Sequence, residues 1–185
     1  ASTSTASNYY GYMFRRAKGF FDVVTYTGNG SNRTINHNLG VAPDLIIVKD
    51  RSDGFAWQVY LSTLGATKRL QLNTTSGELA HNDCWNTTDP TNSVFSLGTQ
   101  ADVNFSGGAF IAYLFATVAG ISKVGSYTGT GSDLNVDCGF SAGARFVLIK
   151  RTDSTGGWYL YDSARGIVAG NDPYKLLNSN AAQVT

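Results

Sequence analysis

Apolar residues along this chain come in short dense runs, not at the three-to-four spacing of a helix. The densest is Asp44-Leu45-Ile46-Ile47-Val48-Lys49, bounded by Pro43 on one side and Ser52-Asp53-Gly54 on the other. Four unbroken, mostly β-branched apolar residues between turn formers predict a strand buried on both faces. The run recurs as Arg145-Phe146-Val147-Leu148-Ile149-Lys150, and Ile46, Val48, Val147 and Ile149 are the expected core positions. Phe110-Ile111-Ala112-Tyr113-Leu114-Phe115-Ala116 is the longest apolar run and predicts a central strand. Further strands are expected at about 20–27, 32–37, 44–50, 56–60, 69–73, 93–97, 102–105 and 109–116. Gly28-Asn29-Gly30-Ser31 predicts a type I′ hairpin turn between the first two, because Asn-Gly tolerates positive φ. Thr63 to Lys68 and Ser163 to Gly170 have room for one helical turn each, and no long amphipathic helix is predicted. Strands this short and this frequent point to an all-β sandwich, jelly-roll-like.

The two anchor runs belong to a wider repetition. Lys49 and Lys150, Trp57 and Trp158, and Tyr60 and Tyr161 are all separated by 101 residues. The same offset joins Tyr26-Thr27-Gly28 to Tyr127-Thr128-Gly129 and Gly65 to Gly166. A shift of four more residues then brings Leu72-Asn73-Thr74 onto Leu177-Asn178-Ser179. Two tandem β-sandwich units of about 100 residues follow, the first over 19–118 and the second, incomplete, over 119–185. They are expected to join near Ala116 to Gly120. The offset also runs backwards: Tyr12-Met13-Phe14 matches Tyr113-Leu114-Phe115, so residues 9–17 read as the closing strand of a preceding unit and 1–18 as linker plus that strand. The second unit has no counterpart of residues 81–117. An open sheet edge is therefore expected, filled by strand addition from a neighbouring copy to give a homo-oligomer or filament.

Composition narrows the class. Net charge is +1 with only 15% charged residues, which leaves no electrostatic footprint for nucleic acid or an anionic membrane. Glu78 is the only glutamate among 13 acidic residues, and 21 glycines accompany ten tyrosines and ten phenylalanines, an all-β inventory. No apolar run reaches the ~18 residues of a membrane span. The polar lead-in Ala1-Ser2-Thr3-Ser4-Thr5-Ala6-Ser7-Asn8 has no signal-peptide pattern. Cys84 and Cys138 occupy non-equivalent positions, Cys138 aligning with His37, so a structural disulfide is not expected.

Candidate chemistry is sparse. Gly28-Asn29-Gly30-Ser31 and Gly129-Thr130-Gly131-Ser132 lack the following helix that a phosphate loop needs. His81-Asn82-Asp83-Cys84 holds three metal-ligand types but no second cluster pairs with it. Asp50, Asp53 and Asp153 follow the anchor strands but do not superpose, so turns are the expected use. Neither a recurring pair of carboxylates nor a triad around His37 or His81 is visible, so no catalytic residue, metal or cofactor is expected. What recurs is Lys49/Lys150, Trp57/Trp158 and Tyr60/Tyr161. These admit two readings: a core tryptophan with a half-buried tyrosine, or an aromatic platform with a lysine beside it for a sugar ring or a partner's loop.

The segments Tyr26 to Ser31, Ile35 to Lys49, Pro90 to Gly98, Tyr113 to Ala116 and Ile149 to Ser154 closely resemble an uncharacterised repeat domain of bacteriophage tail-fibre-like and other virion structural proteins. The resemblance implies a fibre, appendage or decoration module, virion-borne and extracellular, that associates with itself and with other virion proteins and contacts host-surface glycans. It carries no catalytic residues over. The alternative is a secreted carbohydrate-binding module or adhesin, for which a signal peptide and a catalytic neighbour would be expected in the flanking coding sequence.

Overall fold

A computed structural model describes residues 11–167 and 172–184. It is essentially all-β, built from eleven strands and one helical turn among those residues. In chain order the strands are β1 (Phe21–Thr27), β2 (Arg33–Asn36), β3 (Leu45–Asp50), β4 (Gln58–Leu61), β5 (Lys68–Gln71), β6 (Leu79–Ala80) and β7 (Val94–Leu97). The helical turn α1 (Ala101–Asn104) follows, then β8 (Ala109–Phe115), β9 (Phe146–Lys150), β10 (Trp158–Asp162) and β11 (Lys175–Leu176). They form an antiparallel six-stranded sheet ordered β1-β8-β3-β4-β5-β6, a β2-β7 ribbon and a three-stranded sheet ordered β11-β10-β9.

The six-stranded sheet is covered on both faces, which explains why β3 reads as an unbroken apolar run. Ile46 and Val48 point to one side and Leu45 and Ile47 to the other. On the first side, Tyr26, Tyr60, Phe110, Ala112 and Leu114 meet Ile35, Phe95 and Leu97 of the ribbon, with Leu39, Trp85 and Val103 filling between. On the second side, Leu45, Ile47, Val59, Leu61 and Leu70 meet Leu148 and Trp158 of the three-stranded sheet. The contact is fixed by backbone as well: Glu78 N–H donates to the Thr152 carbonyl at 2.6 Å, and Gly156 N–H to that of Thr75 at 2.8 Å. Gly77 lies so close that a Cβ there would stand 2.6 Å from the Thr152 oxygen.

The anchor hairpin is built twice in one register. Leu45 pairs with Leu61 and Ile47 with Val59 in β3-β4, while Phe146 pairs with Asp162 and Leu148 with Leu160 in β9-β10. The third strands follow the four-residue shift: Val59 pairs with Leu70, and Leu160 with Lys175.

Several sequence expectations are corrected. The Gly28 loop is not a hairpin turn: β1 pairs with β8 and β2 with β7, so the loop crosses between sheets. Only Gly30 in it has positive φ, at 70°. The loop is held instead by Asn104, whose side chain accepts from Asn29 N–H at 3.0 Å and donates to the Ser31 and Gly98 carbonyls. That same Asn104 closes α1, where 102–105 had read as a strand; Asn104 N–H bonds back to the Gln100 carbonyl at 3.0 Å. Thr63 to Lys68 forms hydrogen-bonded turns rather than a helix. Ser163 to Arg165 is also a turn, and residues 168–170 lie outside the described residues. Residues 11–16 form no strand, and Tyr9 and Tyr10 lie outside the described residues. In the second half, 123–144 forms none either. Among the described residues, no second-half strand is equivalent to β7 or β8.

Val147 and Ile149 are half-buried, whereas Ile46 and Val48 have no solvent exposure. Among the described residues, no ribbon equivalent to β2-β7 lies over the corresponding face of β9. Ile46→Val should therefore cost about 0.5–1.5 kcal/mol and Ile149→Val clearly less, read from paired urea midpoints. Equal costs would mean that the two faces are equally enclosed.

Candidate functional site

The recurring polar residues have recurring structural tasks. The Lys49 ammonium donates to the Asp53 and Phe55 carbonyls at 3.0 and 2.8 Å, and Lys150 donates to the Gly156 and Thr75 carbonyls at 2.8 and 3.2 Å. Phe55 and Gly156 are equivalent positions, so each lysine pins the loop of its own hairpin. Burial pushes the Lys150 ammonium below its ordinary range. The recurring asparagines do likewise: Asn73 accepts from Trp57 N–H at 3.1 Å and Asn178 from Trp158 N–H at 2.7 Å.

The aromatic platform expected of Trp57, Tyr60, Trp158 and Tyr161 is not assembled. Tyr60 is 2% exposed, stands edge-on to Trp85 with centroids 5.8 Å apart, and donates to Asp89 at 3.1 Å. Burial, then the Asp89 charge, pushes its phenol well above the usual range. Trp158 is 4% exposed, pressed on the first sheet with its indole N–H donating to the Gln71 carbonyl at 2.9 Å. Trp57 is half-buried in the loop immediately before β4. Neither buried ring has a face to offer a ligand.

Tyr161 is different. It is half-buried beside Tyr174, 5.9 Å between centroids, and Tyr174 also meets Tyr159 at 5.2 Å. Burial raises the Tyr161 phenol, and the charges of Tyr174, Asp172, Tyr159 and Tyr127 raise it further. Tyr127 is itself exposed. This tyrosine cluster lies on the face of β9-β10 turned away from Leu148 and Trp158, and is half-buried. Tyr159 and Tyr174 were missed because they do not recur, although Tyr159 and Tyr161 alternate in one strand and so share a face.

The remaining candidates resolve into scaffold. Cys84 points into the core, and burial pushes its thiol up to about 12, which leaves it protonated and unreactive. His81 and Asp83 therefore do not share a centre with it. Asp50 caps its own turn, accepting from Ser52 and Asp53 N–H at 2.7 and 3.2 Å. Asp153 pairs with Arg151 at 2.8 Å on the surface. His37 is buried, its ring bridging Leu39 N–H and the Thr91 carbonyl. Among the described residues no three metal-ligating side chains converge. No helix there is long and apolar enough to cross a membrane.

One polar cluster went unread in the sequence. The Tyr12 hydroxyl donates to Asp162 Oδ2 at 2.6 Å, and Arg165 reaches both Asp162, at 3.0 Å, and Tyr12. Asp162 Oδ1 also accepts from Ala164 and Arg165 N–H at 3.0 and 2.9 Å. Burial drives the Asp162 carboxyl up, but these donors and the Arg165 charge outweigh it and hold it below the usual range. Burial and the Asp162 hydrogen bond carry the Tyr12 phenol up to about 12. Tyr12 also stands edge-on to Phe146 at 5.4 Å, and Phe14 bridges Phe146, Phe115 and Phe21 at 6.0, 5.4 and 5.6 Å. Asp162 replaces Leu61 of the first hairpin, so the offset gave no signal for it.

Compared with known proteins, residues 2–185 match the model of one family, described as a domain of unknown function (DUF7483). No curated protein and no solved structure matches the chain.

Proposed function

The chain belongs to this family of domains of unknown function, DUF7483, a membership that hands down no activity. We propose a virion structural module: a bacteriophage fibre, appendage or decoration component, extracellular and self-associating. The observation that carries this reading is the use made of the repeated polar residues. Lys49, Lys150, Asn73 and Asn178 are all spent on holding two equivalent hairpins. Repetition that preserves scaffold rather than chemistry suits a protein that displays and extends surface. In this reading 19–118 and 119–185 are two β-sandwich units. Immunogold imaging of purified particles that encode the chain tests it. Label on a fibre or surface appendage is the expected result; particles without label would overturn it.

The tyrosine cluster favours a second reading, a carbohydrate-binding module or adhesin, since exposed tyrosine faces stack on sugar rings. Under it, Tyr161→Ala should weaken glycan-array binding by about 2 kcal/mol, roughly 30-fold, with the fold intact by circular dichroism. A purified chain that binds no glycan removes this reading.

A further inference from the structure

We propose that the outer edge of β9 is a docking site for the Gly11–Phe14 segment of a second copy of this chain, added as an antiparallel strand with Phe14 opposite Phe146.

In the first half, both edges of β3 are occupied. β4 lies on one and β8 on the other, with Phe115 opposite Leu45, Leu114 opposite Ile46 and Tyr113 opposite Ile47. β9 has β10 on the equivalent of the first edge and, among the described residues, no strand on the second. Among the described residues its backbone N–H and C=O groups on that side have no ladder partners, which makes the edge a template for another strand. A sequence like that of β8 is present elsewhere in the chain. Gly11-Tyr12-Met13-Phe14 repeats Ala112-Tyr113-Leu114-Phe115, and each is followed by Gly19 or Gly120 at the same distance. The segment thus carries the side chains of the occupant and leads into a β unit as the occupant does.

The docking is half made within the single chain. Phe14 touches Phe146, as the equivalent Phe115 sits opposite Leu45, and Tyr12 is held by Asp162 and Arg165. Yet no backbone hydrogen bond between described residues joins 11–16 to β9. Met13 is 96% exposed, while its equivalent Leu114 is fully buried. The segment is tethered: Ala17 N–H turns back to the Phe21 carbonyl at 3.0 Å, and Phe14 is clamped on Phe21 and Phe115 of the first sheet. A segment from a second copy carries no such tether to this chain's first sheet. It can lie fully along β9, bringing Met13 opposite Val147 on the half-covered face. Each copy then donates its segment to the next, a head-to-tail contact that propagates as a ring or filament.

This inference goes beyond the virion reading, because it is tested on purified protein and fails or holds without reference to a particle. The test uses the full chain in a Cys138→Ser background, Cys84 being buried. Met13→Cys and Val147→Cys variants are prepared separately, mixed at micromolar concentration and oxidised. Strand-paired residues stand within disulfide reach, whereas Met13 of the isolated chain is 96% exposed. The expected result is a covalent heterodimer linked 13–147 by mass spectrometry, suppressed by a synthetic peptide spanning residues 9–17. The unsubstituted chain should also gain mass with concentration in light scattering, and lose this on Phe14→Asp. A 13–147 link found only within single chains of the double variant would overturn the proposal in favour of closure in cis. So would the absence of any 13–147 link, or a chain that remains monomeric at every concentration.

Discussion

Trp85→Ala should lower the unfolding free energy by about 3–5 kcal/mol, the range for emptying a fully enclosed large aromatic site. Trp85 is 1% exposed and is the largest of the fully buried side chains. It stands against Tyr60 of β4 and joins the cluster shared by the six-stranded sheet and the β2-β7 ribbon. Removing it opens a void that both layers border, and Cys84 beside it is too small to fill the space. Against a total stability of ~5–15 kcal/mol, such a loss leaves a chain partly unfolded in mild denaturant. Urea unfolding followed by far-ultraviolet circular dichroism reads the effect, with the midpoint falling and the slope unchanged. Trp85→Phe should recover most of it. A midpoint shift no larger than that of Ile46→Val would show that the ribbon does not close a core over this sheet face.

That this residue ranks first was not legible in the sequence. Repetition directed attention to Trp57 and Trp158, and Trp85 lies in the stretch with no second copy. Recurrence reports what two segments share, which here is the hairpin β3-β4 with its lysine, asparagine and third strand. It is silent on what one segment has alone, and the enclosed core is of that kind: Trp85, Phe95, Leu97 and Val103 all come from 81–117. The anchor strands were readable because a β-branched run flanked by turn formers has few alternatives. Which strands pair was not readable. Gly28-Asn29-Gly30-Ser31 has hairpin chemistry, but Tyr26 and Ile35 are drawn into different sheets by β8 and β7, and burial of those apolar positions overrides the local turn preference. The one-turn helix α1 escaped for a similar reason. Its last residue, Asn104, bonds to Asn29 and Ser31 of the loop after β1, contacts between distant parts of the chain that no local pattern encodes.

The candidate site was legible only as a list of residue types. Lys49 and Lys150 were singled out for recurring, and they recur because each holds the loop of its hairpin. The groups that leave something to bind with, the Tyr159-Tyr161-Tyr174 face and the open edge of β9, arise where the second half departs from the first. Departures are visible in an alignment of the halves, but their meaning requires knowing which face each strand turns outward.

Asp162→Asn should cost about 3–5 kcal/mol near neutral pH, because it takes a charge partner away from a buried arginine. The Asp162 and Arg165 side chains are 4% and 3% exposed and stand 3.0 Å apart. The carboxylate also accepts from the Tyr12 hydroxyl and from two backbone N–H groups at the turn after β10. These contacts hold the Asp162 carboxyl below its ordinary range in the folded chain. A carboxyl depressed on folding binds its proton more readily when unfolded. Its contribution is therefore complete above the ordinary carboxylate value of ~3.9 and disappears as pH falls through the lower, folded value. Asparagine mimics the protonated acid in shape and charge. The stability gap between the native chain and Asp162→Asn should thus be widest at neutral pH and shrink steadily below about pH 4. Asp22 is depressed in the same direction, by Asn38 N–H, Arg16 and Val23 N–H against its burial, so the native chain loses further stability over the same interval. Carrying Asp22 unchanged into the variant isolates the Asp162 share. Paired urea midpoints from neutral pH down to about pH 2 measure the gap. A gap that stays constant with pH would show that Asp162 acts through its hydrogen-bonded shape alone, and that its charge does not hold the N-terminal segment and the turn after β10 together.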